Sequence, residues 1–346
     1  MLFGVEFDDG DNISGYIVPD GHSDIASITV TEGGEFSFTM PCNELRPSVR
    51  DARRHDTGKV GFRIDGSIIP GLVTKRNLEI RDAKSGILIY RRLPYMPPVN
   101  KKVMRLETQI IPAVAFDRHV SPLFHYVQGG LDRFGHETAL QSFHLAVMAS
   151  IYLSGRIMIR NYEEFFEKDF HFVGFFYDPY YEMASRIYMI SRISKTKNVF
   201  LSERDMITFS PAAEYFQDID LSDQDDVRRF CKRMPARVQD TMRSPYVRQL
   251  ACTQPEQLPD KSSIASAIDI LSRFTVVGHI SNTLPYLDAV SELLEVPSDY
   301  LKAPVAYSPI QELANNLKEI LAVERLLEED LIFDHYLRQA INLQIS

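Results

Sequence analysis

The chain has 346 residues, 45% of them hydrophobic, and a formal net charge of −9. Such a length and apolar content suit a folded protein of one large or two smaller domains, and the acidic balance argues against nucleic acid as a chain-wide partner. Cys42, Cys231 and Cys252 are odd in number and widely spaced, which argues against a disulfide framework or a zinc site, and no apolar run reaches membrane-spanning length.

The opening stretch, MLFGVEFDDGDNISG, lacks the basic and apolar regions of a signal peptide, so a soluble, cytoplasmic chain with reduced thiols is expected. Residues 1–93 then supply short β-prone runs: Gly15 to Val18, Ile28 to Thr31, Phe36 to Thr39, Lys59 to Ile64 and Gly86 to Tyr90. Several alternate apolar and polar residues, and Gly33-Gly34 reads as a hairpin turn, so a small all-β, sandwich-like domain is expected over 1–93. Its Asn43 to Val49 stretch, the later Gly61-Phe62-Arg63-Ile64 and the closing Arg91-Arg92 make it similar to β modules fused to bacterial polysaccharide enzymes. That similarity implies carbohydrate binding, or docking to an assembly partner or a second copy. Arg46, Arg50, Arg53, Arg54 and His55 are candidates to grip an acidic sugar or phosphate, against the plainer reading of a solvated charged face. Pro94, Pro97 and Pro98 place a stiff linker at 94–100.

From 101 to 346 the pattern changes to strands alternating with helices. Val103 to Ile111 reads as a strand, followed by a loop from Pro112 and a helix from Ser121 to about Phe134. Gly135 to His144 leads into an apolar helix over Leu145 to Ser154, and Asn161 to Lys168 reads as an amphipathic helix. Phe172 to Phe176 is an unbroken apolar run, as in a strand covered on both faces. It stops at Tyr177-Asp178-Pro179, where Asp178 suits a helix N-cap and Pro179 its first turn, and Met183, Ile187 and Ile190 then recur at helical spacing. The turn therefore lies at the carboxyl edge of a parallel sheet, where open α/β folds bind ligands. Ser202 to Arg248 is charged and mostly helical, with acids such as Asp220 and Asp223 ahead of bases such as Arg229 and Arg233, a helix-stabilising order. The fold class expected is α/β, a mostly parallel sheet flanked by helices, with an N-terminal all-β domain.

The turn at Asp178-Pro179, Ser185 seven residues beyond it, Arg248-Gln249-Leu250 and the closing helix with Asp330, Phe333 and Tyr336 together resemble the carbohydrate sulfotransferases, over roughly residues 100–346. The resemblance implies a P-loop-NTPase-like fold and transfer of a sulfuryl group from 3′-phosphoadenosine-5′-phosphosulfate (PAPS) to a glycan hydroxyl, without a metal. It implies donor contacts from Pro112, Arg118, His119, Asp178, Ser185 and Arg248. A general base is needed to take the acceptor proton, and His144, Glu137 and His136 are its candidates. The chain departs from the family pattern at named places. No lysine or glycine follows Pro112, bulky Phe116 lies in the loop, and Tyr177 and Glu182 stand where the family has arginines. A dianion loses cations it needs by such changes. They motivate the alternative, a catalytically degenerate fold serving as a glycan-binding or assembly protein.

Overall fold

The computed structural model describes residues 1–33, 36–93, 99–145, 148–193 and 201–343. Gly34 of the expected turn and the prolines at 94, 97 and 98 lie outside the described residues. In chain order the N-terminal part forms β1 (Leu2–Asp8), β2 (Asn12–Val18), β3 (Ser27–Glu32), β4 (Phe36–Pro41), β5 (Glu44–Leu45), α1 (Pro47–Asp51), β6 (Lys59–Asp65), β7 (Leu78–Asp82) and β8 (Leu88–Arg91). These strands make two antiparallel sheets, ordered β1-β2-β6-β5 and β4-β3-β7-β8.

The sandwich follows from period-two alternation. Phe3, Ile13, Phe62 and Ile64 from one sheet, and Ile28, Val30, Leu78 and Ile80 from the other, are fully buried in one core. Side chains on successive residues point to opposite faces, so each strand gives every second residue to that core. Gly15 is required where β2 meets β1, because an added Cβ would stand 2.5 Å from the Gly4 carbonyl oxygen and from the Phe62 ring. Within the run from Arg46 to His55, Arg46 donates to Glu6 and Glu44, Arg50 to Asp51, and buried His55 contacts the Asp24 carbonyl at 2.9 Å, while Arg53 and Arg54 are exposed.

The chain continues through β9 (Lys102–Leu106), α2 (Val114–Val120), β10 (Tyr126–Gln128), α3 (His136–Phe143), β11 (Ile151–Gly155), β12 (Phe170–Phe176), α4 (Pro179–Ile190), α5 (Glu203–Phe216), α6 (Gln224–Lys232), α7 (Ala236–Met242), α8 (Pro245–Ala251), α9 (Lys261–Ser272), β13 (Val276–His279), α10 (Thr283–Leu294), α11 (Ser308–Lys318), α12 (Leu321–Leu326) and α13 (Glu328–Leu343). The fold is mixed α/β: helices flank a parallel five-stranded sheet of order β10-β11-β9-β12-β13.

Three local expectations are corrected. Ile151 to Ser154, read as the end of an apolar helix, lies in the strand β11, which is buried along its whole length; a short apolar run between helices suits a covered strand as well as a helix. The helix expected from Ser121 to Phe134 is instead two 3₁₀ turns around the short strand β10. Ile159–Glu167 is a 3₁₀ helix broken at Tyr162 rather than a regular amphipathic α-helix.

By internal packing the chain divides into two units: Met1–Lys102 with Ser121–Gly129 and Phe134–Leu153, and Val103–Val120 with Gly130–Arg133 and Ser154–Ser346. The second unit has its own core, in which Met183, Ile187 and Ile190 of α4 join Phe209 and Phe216 of α5 and Ile310, Leu313 and Leu317 of α11. The strand-turn-helix at its centre is as the sequence reads. The Asp178 carboxylate accepts the Tyr180 N–H at 2.9 Å, Pro179 fills the first helical position, and the Met183, Ile187, Ile190 stripe is buried.

Candidate functional site

The loop from Glu107 to Ala113 joins β9 to α2 at the carboxyl end of the sheet, where a sulfotransferase-like donor loop is expected. A protein carboxylate already occupies its amide groups. Buried Glu107 accepts the Ala113 N–H through Oε2 at 2.7 Å and the Gln109 N–H through Oε1 at 3.4 Å. Arg105 donates to the same Oε2 at 3.0 Å and is held by Asp117 in a two-pronged pair at 2.8 and 2.9 Å. Ser154 donates to Asp117 at 2.7 Å. Backbone amides and an arginine converging on one carboxylate are what an anion site offers. Here the anion is part of the chain.

The rest of the loop is also turned inward. Thr108 donates its hydroxyl to the Phe175 carbonyl at 2.5 Å, Gln109 donates to the Tyr246 hydroxyl at 2.7 Å, and Gln249 donates to the Glu107 carbonyl at 2.8 Å. Pro112 is half-buried and its carbonyl accepts the Val114 N–H at 2.8 Å. On α2, Arg118 is exposed, while His119 contacts the Tyr300 carbonyl through Nε2 at 2.5 Å with its ring 4.5 Å from that tyrosine's.

The candidates on α4 and α8 carry equally committed side chains. Ser185 is buried and returns its hydroxyl to the Tyr181 carbonyl one turn back, at 2.8 Å. Asp178 caps its helix and pairs with Lys318 at 2.9 Å. Tyr177 stacks on Tyr181 at 4.8 Å, and burial pushes its phenol well above the usual range. Glu182 is 0% exposed and accepts from Arg186 at 2.7 Å and from the Ile110 N–H at 3.4 Å. Burial raises its carboxyl pKa, against the pull of Arg186. Arg248 donates to the carbonyls of Asp240, Thr241 and Pro255; burial, with Arg186 nearby, lowers its pKa to about 10. Asp330 accepts the Tyr246 and Val247 N–H groups at the start of α8, at 3.0 and 2.8 Å, and burial pushes it up to about 7. Arginine Nη atoms spent on main-chain carbonyls and a serine bonded within its own helix present no cradle for a phosphate.

The base candidates stand on α3, whose segment belongs to the N-terminal unit. His136 and Glu137 open the helix and His144 follows its end, all exposed. Glu137 lies 3.9 Å from Arg54. Donor and base candidates thus fall in different units.

Sequence reasoning passes over Arg105, Glu107 and Asp117. The signal available was Arg-x-Glu at a strand's carboxyl end, two charges on one face of a strand otherwise buried. It also passes over a cleft of about 830 Å³ in the second unit. Tyr188 and Arg192 from the end of α4, Asp220 from the turn before α6, Gln224, and Glu312 and Asn316 of α11 line it. The Arg192 guanidinium lies 3.7 Å from the Tyr188 ring centre, and Gln224 donates to Asn316 at 3.0 Å.

Among the described residues no group of three or more His, Cys, Asp or Glu side chains is arranged to hold a metal ion, and no helix is long and apolar enough to cross a membrane. Comparison of the chain with protein-family models, with curated proteins and with solved structures found no match. Function is therefore read from the geometry alone.

Proposed function

We propose that this chain is a saccharide-binding or assembly protein, built on a sulfotransferase-like α/β unit that does not use PAPS. One observation carries the reading: the Glu107 carboxylate sits on the loop amides and arginine that a phosphosulfate would need. Displacing it would bury a second anion beside the first or strip Arg105 of a partner, and each of these is costly in a dry site. The inward bonds of Ser185 and Arg248 point the same way.

The cleft between α4 and α11 supplies the positive half of the proposal. Planar amides, carboxylates and an arginine beside a tyrosine are the groups that bond sugar hydroxyls in pairs and cover an apolar sugar face. Its volume suits one or two sugar rings. Screening the protein against an array of neutral and acidic saccharides tests this. Binding is expected, and it falls about tenfold or more in Asn316→Ala, the loss of one or two hydrogen bonds to ligand. An array without a hit, or a hit unchanged by Asn316→Ala and Glu312→Ala, contradicts the cleft as the binding site.

A further inference from the structure

At the carboxyl end of β13 the sequence Gly278-His279-Ile280-Ser281 turns into α10 through one 3₁₀ turn, Ile280–Asn282. Gly278 is needed there because an added Cβ would stand 2.4 Å from the Tyr286 ring, so the first turn of α10 packs directly on the strand end. His279 is 3% exposed. Its Nδ1 accepts the Ser281 N–H at 3.1 Å and lies 2.7 Å from Ser281 Oγ. A ring nitrogen that accepts an N–H carries no proton, so the proton resides on Nε2 and the Ser281 hydroxyl donates to Nδ1. Nε2 is 3.1 Å from Asp334 Oδ1, though not aligned for a hydrogen bond, and among the described residues neither atom has another hydrogen-bond partner. Arg338 holds the other Asp334 oxygen at 2.7 Å.

We infer that Ser281, His279 and Asp334 form an acyl-transfer site acting on small carboxylic esters at the protein surface. The order carboxylate, imidazole, hydroxyl runs from the interior to an exposed serine, the arrangement that makes a weak hydroxyl nucleophilic. Capping the 3₁₀ turn needs only Nδ1. It does not need a buried carboxylate 3.1 Å from the far side of the ring. Leu284, three residues on and 72% exposed, and the exposed Pro285 give an apolar rim beside the hydroxyl for an acyl chain. The twelve-residue helix α10 begins at Thr283, and its positive end favours the negative charge that grows on the attacked carbonyl.

The step balances without an added reagent. Ser281 Oγ bonds to the ester carbonyl carbon as its proton passes to His279 Nδ1, which releases the Ser281 N–H that it accepts at rest. The ester C–O bond breaks and the alcohol leaves with that proton. Water then attacks the acyl-serine, its proton passing to Nδ1 and on to Oγ as the carboxylic acid departs. Asp334 is a positioning residue, whose charge stabilises the imidazolium formed in between.

The test treats the full chain with a fluorophosphonate probe and with 4-nitrophenyl acetate. The expected result is an adduct on Ser281 and saturable ester hydrolysis, both lost in Ser281→Ala and kept in Thr283→Ala. Asp334→Asn is expected to lower kcat about tenfold or more with KM unchanged, as removal of a positioning carboxylate does in such triads. Ser281 is at the surface, so its alanine variant reports on chemistry rather than folding. Absence of an adduct on the wild-type chain, or labelling that persists in Ser281→Ala, overturns the proposal. The outcome is independent of whether the α4–α11 cleft binds saccharide.

Discussion

The sandwich of β1 to β8 and the carboxyl edge of the five-stranded sheet solve burial in opposite ways. The sandwich fills its interior with Phe3, Ile28, Phe62 and Ile80 and keeps most charges outside. The sheet edge buries Arg105, Glu107, Glu182, Arg186, Arg248 and Asp330. In the first region stability comes from apolar area, which is tolerant of partner and direction. In the second each charge depends on a few named groups. Variants in the two regions should therefore differ in size and in pH dependence.

The largest effect is expected from Glu182→Ala, which leaves the Arg186 guanidinium buried without its 2.7 Å partner. Thermal or denaturant unfolding should show a loss of about 3–5 kcal/mol; a loss below about 1 kcal/mol would mean that the pair is not a unit. Asp330→Asn follows. One of the two N–H groups at the start of α8 then faces an amide donor, at about 1–3 kcal/mol. It should also flatten the pH profile. The folded Asp330 carboxyl is raised from 3.8 to about 7, so the folded state holds its proton over that window and stability falls as pH rises through it. The sandwich offers the opposite slope at Asp8. Burial pushes that carboxyl up, but hydrogen bonds from Arg92 and Tyr90 outweigh it and hold it below 3.8. Its contribution is present above the unfolded pKa and is lost as pH falls through the folded one.

Smaller effects belong to the apolar core and the surface. Ile80→Val should cost about 0.5–1.5 kcal/mol, the price of one buried methylene, with no change in pH profile. Arg54→Ala, facing Glu137 at 3.9 Å across an exposed gap, should stay within about 0.5 kcal/mol. A larger change there would give the basic run a structural role that its exposure does not suggest.

The same contrast explains what was legible in the sequence. Alternating residues such as Ile28-Thr29-Val30-Thr31 announce a half-buried strand, and Asp178-Pro179 announces a helix start, because both signals are local. Ile151-Tyr152-Leu153 was not separable from a helix by pattern, since a strand buried on both faces loses its alternation. The burial of Ser185 and Arg248 could not be foreseen at all. The Ser185 hydroxyl turns back on the Tyr181 carbonyl of its own helix, whereas Arg248 is fixed by carbonyls of the α7 region and Pro255, which only the fold brings to it. Glu107 as the loop's own anion depends on a six-residue return to the Ala113 N–H. His279 and Ser281 are adjacent enough to be noticed, but Asp334 joins them from the far end of the chain.

The central claim is that the β9–α2 loop is closed by Glu107 and takes no nucleotide. Its most direct test is calorimetric titration of the purified protein at low salt with 3′,5′-adenosine bisphosphate, the desulfated form of the donor. No heat and no thermal stabilisation are expected at millimolar ligand. Micromolar binding that weakens in Ser185→Ala or Arg248→Ala would contradict it and restore the sulfotransferase reading.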